Sequence, residues 1–151
     1  AAISLDQYTK HLVRSGMVYG ETMIVHAALR NIFDLTYTTN TGAAFGIFQG
    51  GSVVFTAIAI VVAAAIIYFN WTLPGKQRWL RVALGLQMGG AVGNLIDRLR
   101  FGTVTDFLHV HYWPVFNVAD SSITMGVVIL AVLMFSEIRR DKQGRDARER
   151  V

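Results

Sequence analysis

The sequence predicts a mainly α membrane protein: a polytopic helical bundle with a small extracytoplasmic β-sheet, or cradle. Three observations lead there. Of 151 residues, 53% are hydrophobic and only 16% charged, against about 25% charged in ordinary soluble domains. Three stretches are apolar over nearly the length of a bilayer crossing. The segments outside them are rich in β-branched and aromatic residues punctuated by glycine. The length suits one domain, residues 1–151.

Taken in order, the chain opens with only five residues before Asp6. That is too few for a span ending there, and no signal-peptide n-region precedes it. The first helix is therefore expected to be truncated, or short and interfacial. Residues 29–48 hold a partly alternating run (Ile32, Phe33, Leu35, Tyr37) beside Thr36, Thr38 and Thr39, which reads as strand. Residues 53–69 contain one Thr and no charge, and with Ser52 and Asn70 at the ends they approach the roughly 20 residues a crossing needs.

Residues 80–96 form a weaker second candidate, with Arg81 at one end and Gln87 and Asn94 within. Residues 103–107 and 110–116 look strand-like. The third candidate, 119–138, starts beside Asp120 and ends beside Glu137. Each stretch also suits the core helix of a soluble protein, but three together with so little charge argue for lipid.

Charge placement sets the expected orientation. The segment 139–150 holds six of the fourteen Lys and Arg residues, and Lys76, Arg78 and Arg81 cluster between the first two spans. Basic clusters beside spans mark the cytoplasmic side and contact anionic lipid. The tail 139–151 and residues 71–79 are thus expected inside. Asp6 to Gly51, with its sheet-forming part over about 20–50, and 97–118 are expected outside. Arg98 and Arg100 stand against this rule, so their work should be local. The pI of 9.8 does not indicate nucleic acid, because no basic stripe carries interleaved aromatics. With no cysteine, disulfides and a thiol nucleophile are excluded.

The acids beside apolar sequence carry the chemistry. Asp120 stands at the mouth of a span, where ionised groups are costly and commonly functional. It equally suits a helix N-cap. Asp106 lies between strand-forming residues, and its bland reading is a solvated partner of Arg98 or Arg100. Glu137, Asp141, Asp146 and Glu149 read as solvated partners of the tail arginines. Asp106 and Asp120 both fall at the outer boundary, where antiparallel neighbouring helices would bring them close. Two such carboxyls share one proton, leaving one as base and one as acid. That is the aspartic-peptidase solution to amide hydrolysis.

Asn94 and Arg98 share a helix face, with Gly90 one turn earlier. Gly89, Gly90 and Gly93 permit close approach of a helix or substrate, with helix packing the plainer reading. Asn117, three residues before Asp120, and Asn94 suit either the site or buried backbone groups. His109 and His111 share a strand face, but no third metal ligand is evident, so no metal is expected. His11 and His26 look incidental. Ser121 and Ser122 lack a nucleophile elbow, and the glycines of 42–46 lack the Lys-Ser/Thr of a phosphate loop.

Five blocks in order closely resemble lipoprotein signal peptidase, the signal peptidase II family. They are Asp6-Gln7-x-Thr9-Lys10, Asn40-Thr41-Gly42-Ala43-Ala44-Phe45, Gly90-x-x-Gly93-Asn94-x-x-Asp97-Arg98, Gly102-x-Val104-x-Asp106-Phe107 and Phe116-Asn117-x-Ala119-Asp120-Ser121. The resemblance implies an inner-membrane aspartic endopeptidase that cleaves diacylglyceryl-modified prolipoproteins before the lipidated cysteine. It implies Asp106 and Asp120 as the dyad. It implies supporting roles for Asp6, Asn40, Gly42, Gly90, Asn94, Arg98, Asn117 and Ala119. It also implies four transmembrane helices, most of the first missing here, and a periplasmic β-cradle. No cofactor is expected. The expected partners are prolipoprotein substrates and membrane lipids, with the chain acting as a monomer. Two alternatives remain on sequence grounds: a transporter subunit using the two acids as proton carriers, and a lipid-binding or assembly protein with Asp120 only a cap.

Overall fold

A computed structural model describes residues 1–41, 51–72 and 77–148. Four helices and three strands run in the order α1 (Ala2–Gly16), β1 (Thr22–Met23), a 3₁₀ turn (Ala27–Leu29), β2 (Phe33–Asn40), α2 (Gly51–Thr72), α3 (Arg78–Phe101), β3 (Val104–Val110) and α4 (Val118–Arg148). The strands form one antiparallel sheet in the order β1-β2-β3.

The three apolar stretches lie in α2, α3 and α4. Two helical segments, Val53–Thr72 and Val118–Arg140, are long and apolar enough to cross a membrane. At 1.5 Å per residue, α2 is about 33 Å long, close to the thickness of the hydrocarbon layer. Its large side chains face outward: Val53 is 74% exposed and Val61 67%. On α4, Val128, Val132 and Phe135 do the same. A soluble core helix would bury these groups. A continuous apolar exterior needs lipid or a partner against it. Because α3 carries Arg81, Gln87, Asn94, Asp97 and Arg98, it is not apolar enough to pass the same test. Its polar groups face the interior instead: Asn94 and Asp97 are buried, with Ala83, Gly90 and Gly93 on the same side.

The interior is built where α1, α3 and α4 meet. Glycine makes the contact close. A Cβ at Gly90 would collide with the carbonyl oxygen of Ala119 and the side chain of Ile123, and one at Gly93 would strike the Asp6 carboxylate. The helix-packing reading of these glycines therefore holds, and it also brings the first turn of α4 against the polar face of α3. Gly102 ends α3 in the left-handed conformation at φ 75°, which glycine adopts without steric cost. The chain then reverses directly into β3.

The first helix is short: α1 has 15 residues, Ala2–Gly16, and turns Asp6, Lys10 and Val13 inward along one face. One expectation needs correction. Residues 110–116 are not a strand. β3 stops at Val110, the chain turns through Tyr112 at φ 71°, and Phe116 returns as a single bridge to Leu108. The basic tail is helical through Arg148, as the continuation of α4.

Candidate active site

Asn117 organises the site. As the residue before α4, it accepts the Asp120 N–H on its side-chain oxygen at 3.0 Å, and the Asp120 carboxylate accepts the Asn117 N–H at 3.2 Å. This is a capping box with Asn and Asp in place of Ser/Thr and Glu. The cap of α4 is therefore Asn117, and the N-cap reading of Asp120 is corrected to the reciprocal position one turn in. The Asn117 amide nitrogen then donates to Asp106 at 2.6 Å, to Asn94 at 3.1 Å and to the Thr105 carbonyl at 3.3 Å. One fully buried side chain thus touches Asp106 and the backbone of Asp120.

Each acid has a second support. Asn94 donates to Asp120 at 2.8 Å, and the Asn40 side chain hydrogen-bonds Asp106. Asp106 is almost wholly buried, whereas Asp120 is half-buried. Burial, then the charge of Asp120, pushes the Asp106 carboxyl up to about 6, against the bonds from Asn117 and Asn40 and the charge of Lys10. The two acids therefore act on one another, and the environment favours a proton on Asp106.

Behind this pair lies a second polar layer that sequence reasoning underrated. Lys10 is completely buried and reaches Asp6 at 2.9 Å, Asn94 at 2.8 Å and Asp97 at 3.7 Å. The other oxygen of Asp6 accepts the Ala119 N–H at 2.9 Å, fixing the start of α4. Asp97 accepts the Thr105 N–H at 2.9 Å and meets Arg14 and Gln7, fixing the start of β3. Lys10, Asp97, Gln7, Arg14 and Thr105 were not among the expected site residues. The signal available was an acid and a base at i, i+4 on α1, plus an acid, Asp97, three residues after Asn94 on an otherwise largely apolar stretch of α3.

The structure thus brings together Asp6, Asn40, Gly90, Asn94, Asp106, Asn117, Ala119 and Asp120. Arg98 stands near enough for its charge to act on Asp120, Asp106 and Asp97, but among the described residues it hydrogen-bonds neither Asp106 nor Asp120, and it lies 5.8 Å over the Phe55 ring. Gly42, with Ala43, Ala44 and Phe45, lies outside the described residues. Ser121 and Ser122 donate back to the carbonyls of Asn117 and Val118, as helical serines commonly do.

The sequence shows no third donor beside His109 and His111, but the fold supplies a carboxylate there. Asp34, on β2, lies against both rings. Burial works to raise its carboxyl, but hydrogen bonds from Thr36, His111 and His109 outweigh it and hold the group below the usual carboxylate range. A cavity of about 530 Å³ lies between α2 and α3, lined by Ile66, Trp71, Arg81 and Met88 among others. Arg81 is some 20 Å along α3 from Asn94, so this cavity is not part of the acid site.

Comparison with known proteins gives a consistent result. The family model described as Signal peptidase (SPase) II matches residues 1–136. A lipoprotein signal peptidase from Desulfitobacterium hafniense (strain DSM 10664 / DCB-2) is 44% identical over 142 residues, covering 93% of this chain and 91% of the relative. One from Moorella thermoacetica is 41% identical over 144 residues, covering 95% and 93%. Among solved structures, a bacterial membrane enzyme at 2.3 Å resolution superposes with a TM-score of 0.83 at 32% identity, covering 91% of this chain and 84% of the other.

Proposed function

This chain belongs to the signal peptidase II family, and from that premise we propose that it removes the signal peptide from diacylglyceryl-modified prolipoproteins, with Asp106 and Asp120 as the pair that activates water. It is a protease of a bacterial membrane. The observation that carries the residue assignment is the shared grip of Asn117, which donates to Asp106 at 2.6 Å and exchanges backbone and side-chain bonds with Asp120.

The chemistry follows from the unequal surroundings. The pair carries one proton, favoured on the buried Asp106. Ionised Asp120 takes a proton from water as its oxygen bonds to the scissile carbonyl carbon. Asp106 gives its proton to the carbonyl oxygen, forming a neutral tetrahedral intermediate. Collapse re-forms the carbonyl as ionised Asp106 takes back a hydroxyl proton, the C–N bond breaks, and the proton held by Asp120 leaves on the α-amino group of the lipidated cysteine. No covalent intermediate forms. Asp6 and Ala119 hold the first turn of α4 in place, Asn94 orients Asp120, and Arg98 adds positive charge beside both acids. Gly90 lets α4 approach, and Asn40 supports Asp106. Gly42 belongs to the same sequence block as Asn40, and its supporting role rests on the family resemblance alone.

The finer topology belongs to the same proposal. The four helices form one membrane bundle, with residues 71–79 and the basic end of α4 on the cytoplasmic side and the sheet outside. The acids then meet the substrate where its apolar helix and acyl chains leave the bilayer and water becomes available. The chain is proposed to act as a monomer surrounded by lipid. The deciding experiment is cleavage of a diacylglyceryl-prolipoprotein by Asp106→Asn and Asp120→Asn variants in detergent. Each should lose cleavage while keeping expression and a cooperative thermal transition. Cleavage by either folded variant at the wild-type rate would refute the dyad.

A further inference from the structure

Outside the acid pair, the described residues hold one compact set of metal-ligating side chains. The register of β2 on β3 sets Asp34 directly opposite His109. His111 continues the pairing, donating its backbone N–H to the Ile32 carbonyl at 3.0 Å. Alternation along a strand puts positions 109 and 111 on one face. His109 Nδ1 lies 2.9 Å from one Asp34 oxygen, and His111 Nε2 lies 2.8 Å from the other. The two rings stack at 20° with centroids 5.1 Å apart, and one donor atom from each of the three residues lies within 4.8 Å of the other two.

We propose that Asp34, His109 and His111 form a binding site for a divalent transition-metal ion of the zinc class, on the face of the sheet opposite Asp106. Two imidazoles and one carboxylate are the donor set of zinc and its neighbours in the first transition row, not of calcium or magnesium. Small side-chain rotations bring the donors to the ~2.0–2.2 Å at which zinc holds nitrogen and oxygen. Each imidazole turns a lone pair to the ion, and any proton on that nitrogen moves to the outward nitrogen or leaves to solvent.

The surroundings are those of a built site. Asp34 is buried, and the Thr36 hydroxyl donates to its Oδ1 at 2.8 Å, orienting the carboxylate from behind. The His109 and His111 side chains are 30% and 32% exposed, which leaves an entry path and room for water at the remaining coordination position. Asp106 lies three residues from His109, on the other parity and roughly 10 Å along β3. The ion therefore takes no part in peptide hydrolysis. It clamps β2 to β3 beyond the register shift between Leu35 and Thr38.

The test uses the full chain without a histidine tag, in detergent, stripped by chelator and titrated with zinc sulfate. Calorimetry and elemental analysis after dialysis should give one zinc per chain and a rise in thermal midpoint. Cobalt(II) should give the visible bands of a low-symmetry nitrogen/oxygen site. His109→Ala and His111→Ala, checked for folding by their thermal transitions, should each weaken zinc binding by at least the roughly 10- to 100-fold that loss of an outer-shell partner costs. The His11→Ala/His26→Ala double variant should bind as wild type. A chain that takes up no zinc saturably, so that the cluster holds only protons, overturns the proposal. So does a folded His109→Ala/His111→Ala double variant that binds like wild type. Neither readout involves cleavage, so the result stands apart from the peptidase assignment.

Discussion

The Lys10 ammonium, wholly buried, lies 2.9 Å from the Asp6 carboxylate one helical turn away. Asn94 accepts from the same ammonium at 2.8 Å and donates to Asp120 at 2.8 Å. A lysine on α1 is thereby connected through one amide to the acid on α4. Removing one partner of a buried ion pair leaves an uncompensated charge, at about 3–5 kcal/mol.

Lys10→Met should therefore lower unfolding stability in detergent by about 3–5 kcal/mol. Adding Asp6→Asn to that variant should recover part of the loss, because the stranded carboxylate is then neutral. Denaturant unfolding of the single and double variants measures both effects. A Lys10→Met protein as stable as wild type would show that the ion pair contributes nothing.

The raised Asp106 carboxyl has a consequence for stability. Its folded value of about 6 exceeds the ordinary 3.8, so between those values the folded chain binds the proton more tightly than the unfolded chain. The stabilisation from this group is full below the unfolded value and is lost as pH rises through about 6. The shift corresponds to about 3 kcal/mol. Asp106→Asn should be more stable than wild type at pH 8 by up to about 3 kcal/mol, with little difference at pH 4. Thermal midpoints at the two pH values test this; an equal difference at both would remove the titration as its cause.

Helix contact on α3 is set by two kinds of glycine. A Cβ at Gly90 meets the backbone of α4, whereas at Gly85 nothing lies within 4 Å. Gly90→Ala should cost about 1–3 kcal/mol, as overpacking does. Gly85→Ala should be neutral or stabilising by up to about 1 kcal/mol, since alanine favours helix. Gly90→Ala should also slow cleavage, because it displaces the turn carrying Asp120. Equal thermal midpoints for the two variants would contradict the close packing.

Much of this was legible along the chain. Apolar stretches marked α2, α3 and α4 because lipid-facing helices need no alternation to hide. Asp106 and Asp120 stood out as acids beside apolar runs, and alternation near Phe33 and Leu35 marked β2. What escaped was whatever depends on pairing across distance. Asp34 lies 75 positions before His109, and only strand register makes it their neighbour. Lys10 stood out only within the block Asp6-Gln7-x-Thr9-Lys10, because its partners Asn94 and Asp97 sit on another helix. Residues 110–116 have strand composition, but the positive φ at Tyr112 turns the chain back before a ladder can form.

The reciprocal bonds between Asn117 and Asp120 have a consequence for biogenesis. If the proposed pair is the hydrolytic centre, winding of the last membrane helix and arming of the enzyme are one event, since Asn117, which closes that helix, also bonds both acids. A newly inserted polypeptide whose final segment is still frayed has no hydrolytic centre. On that assignment, partly assembled copies leave neighbouring membrane proteins uncut.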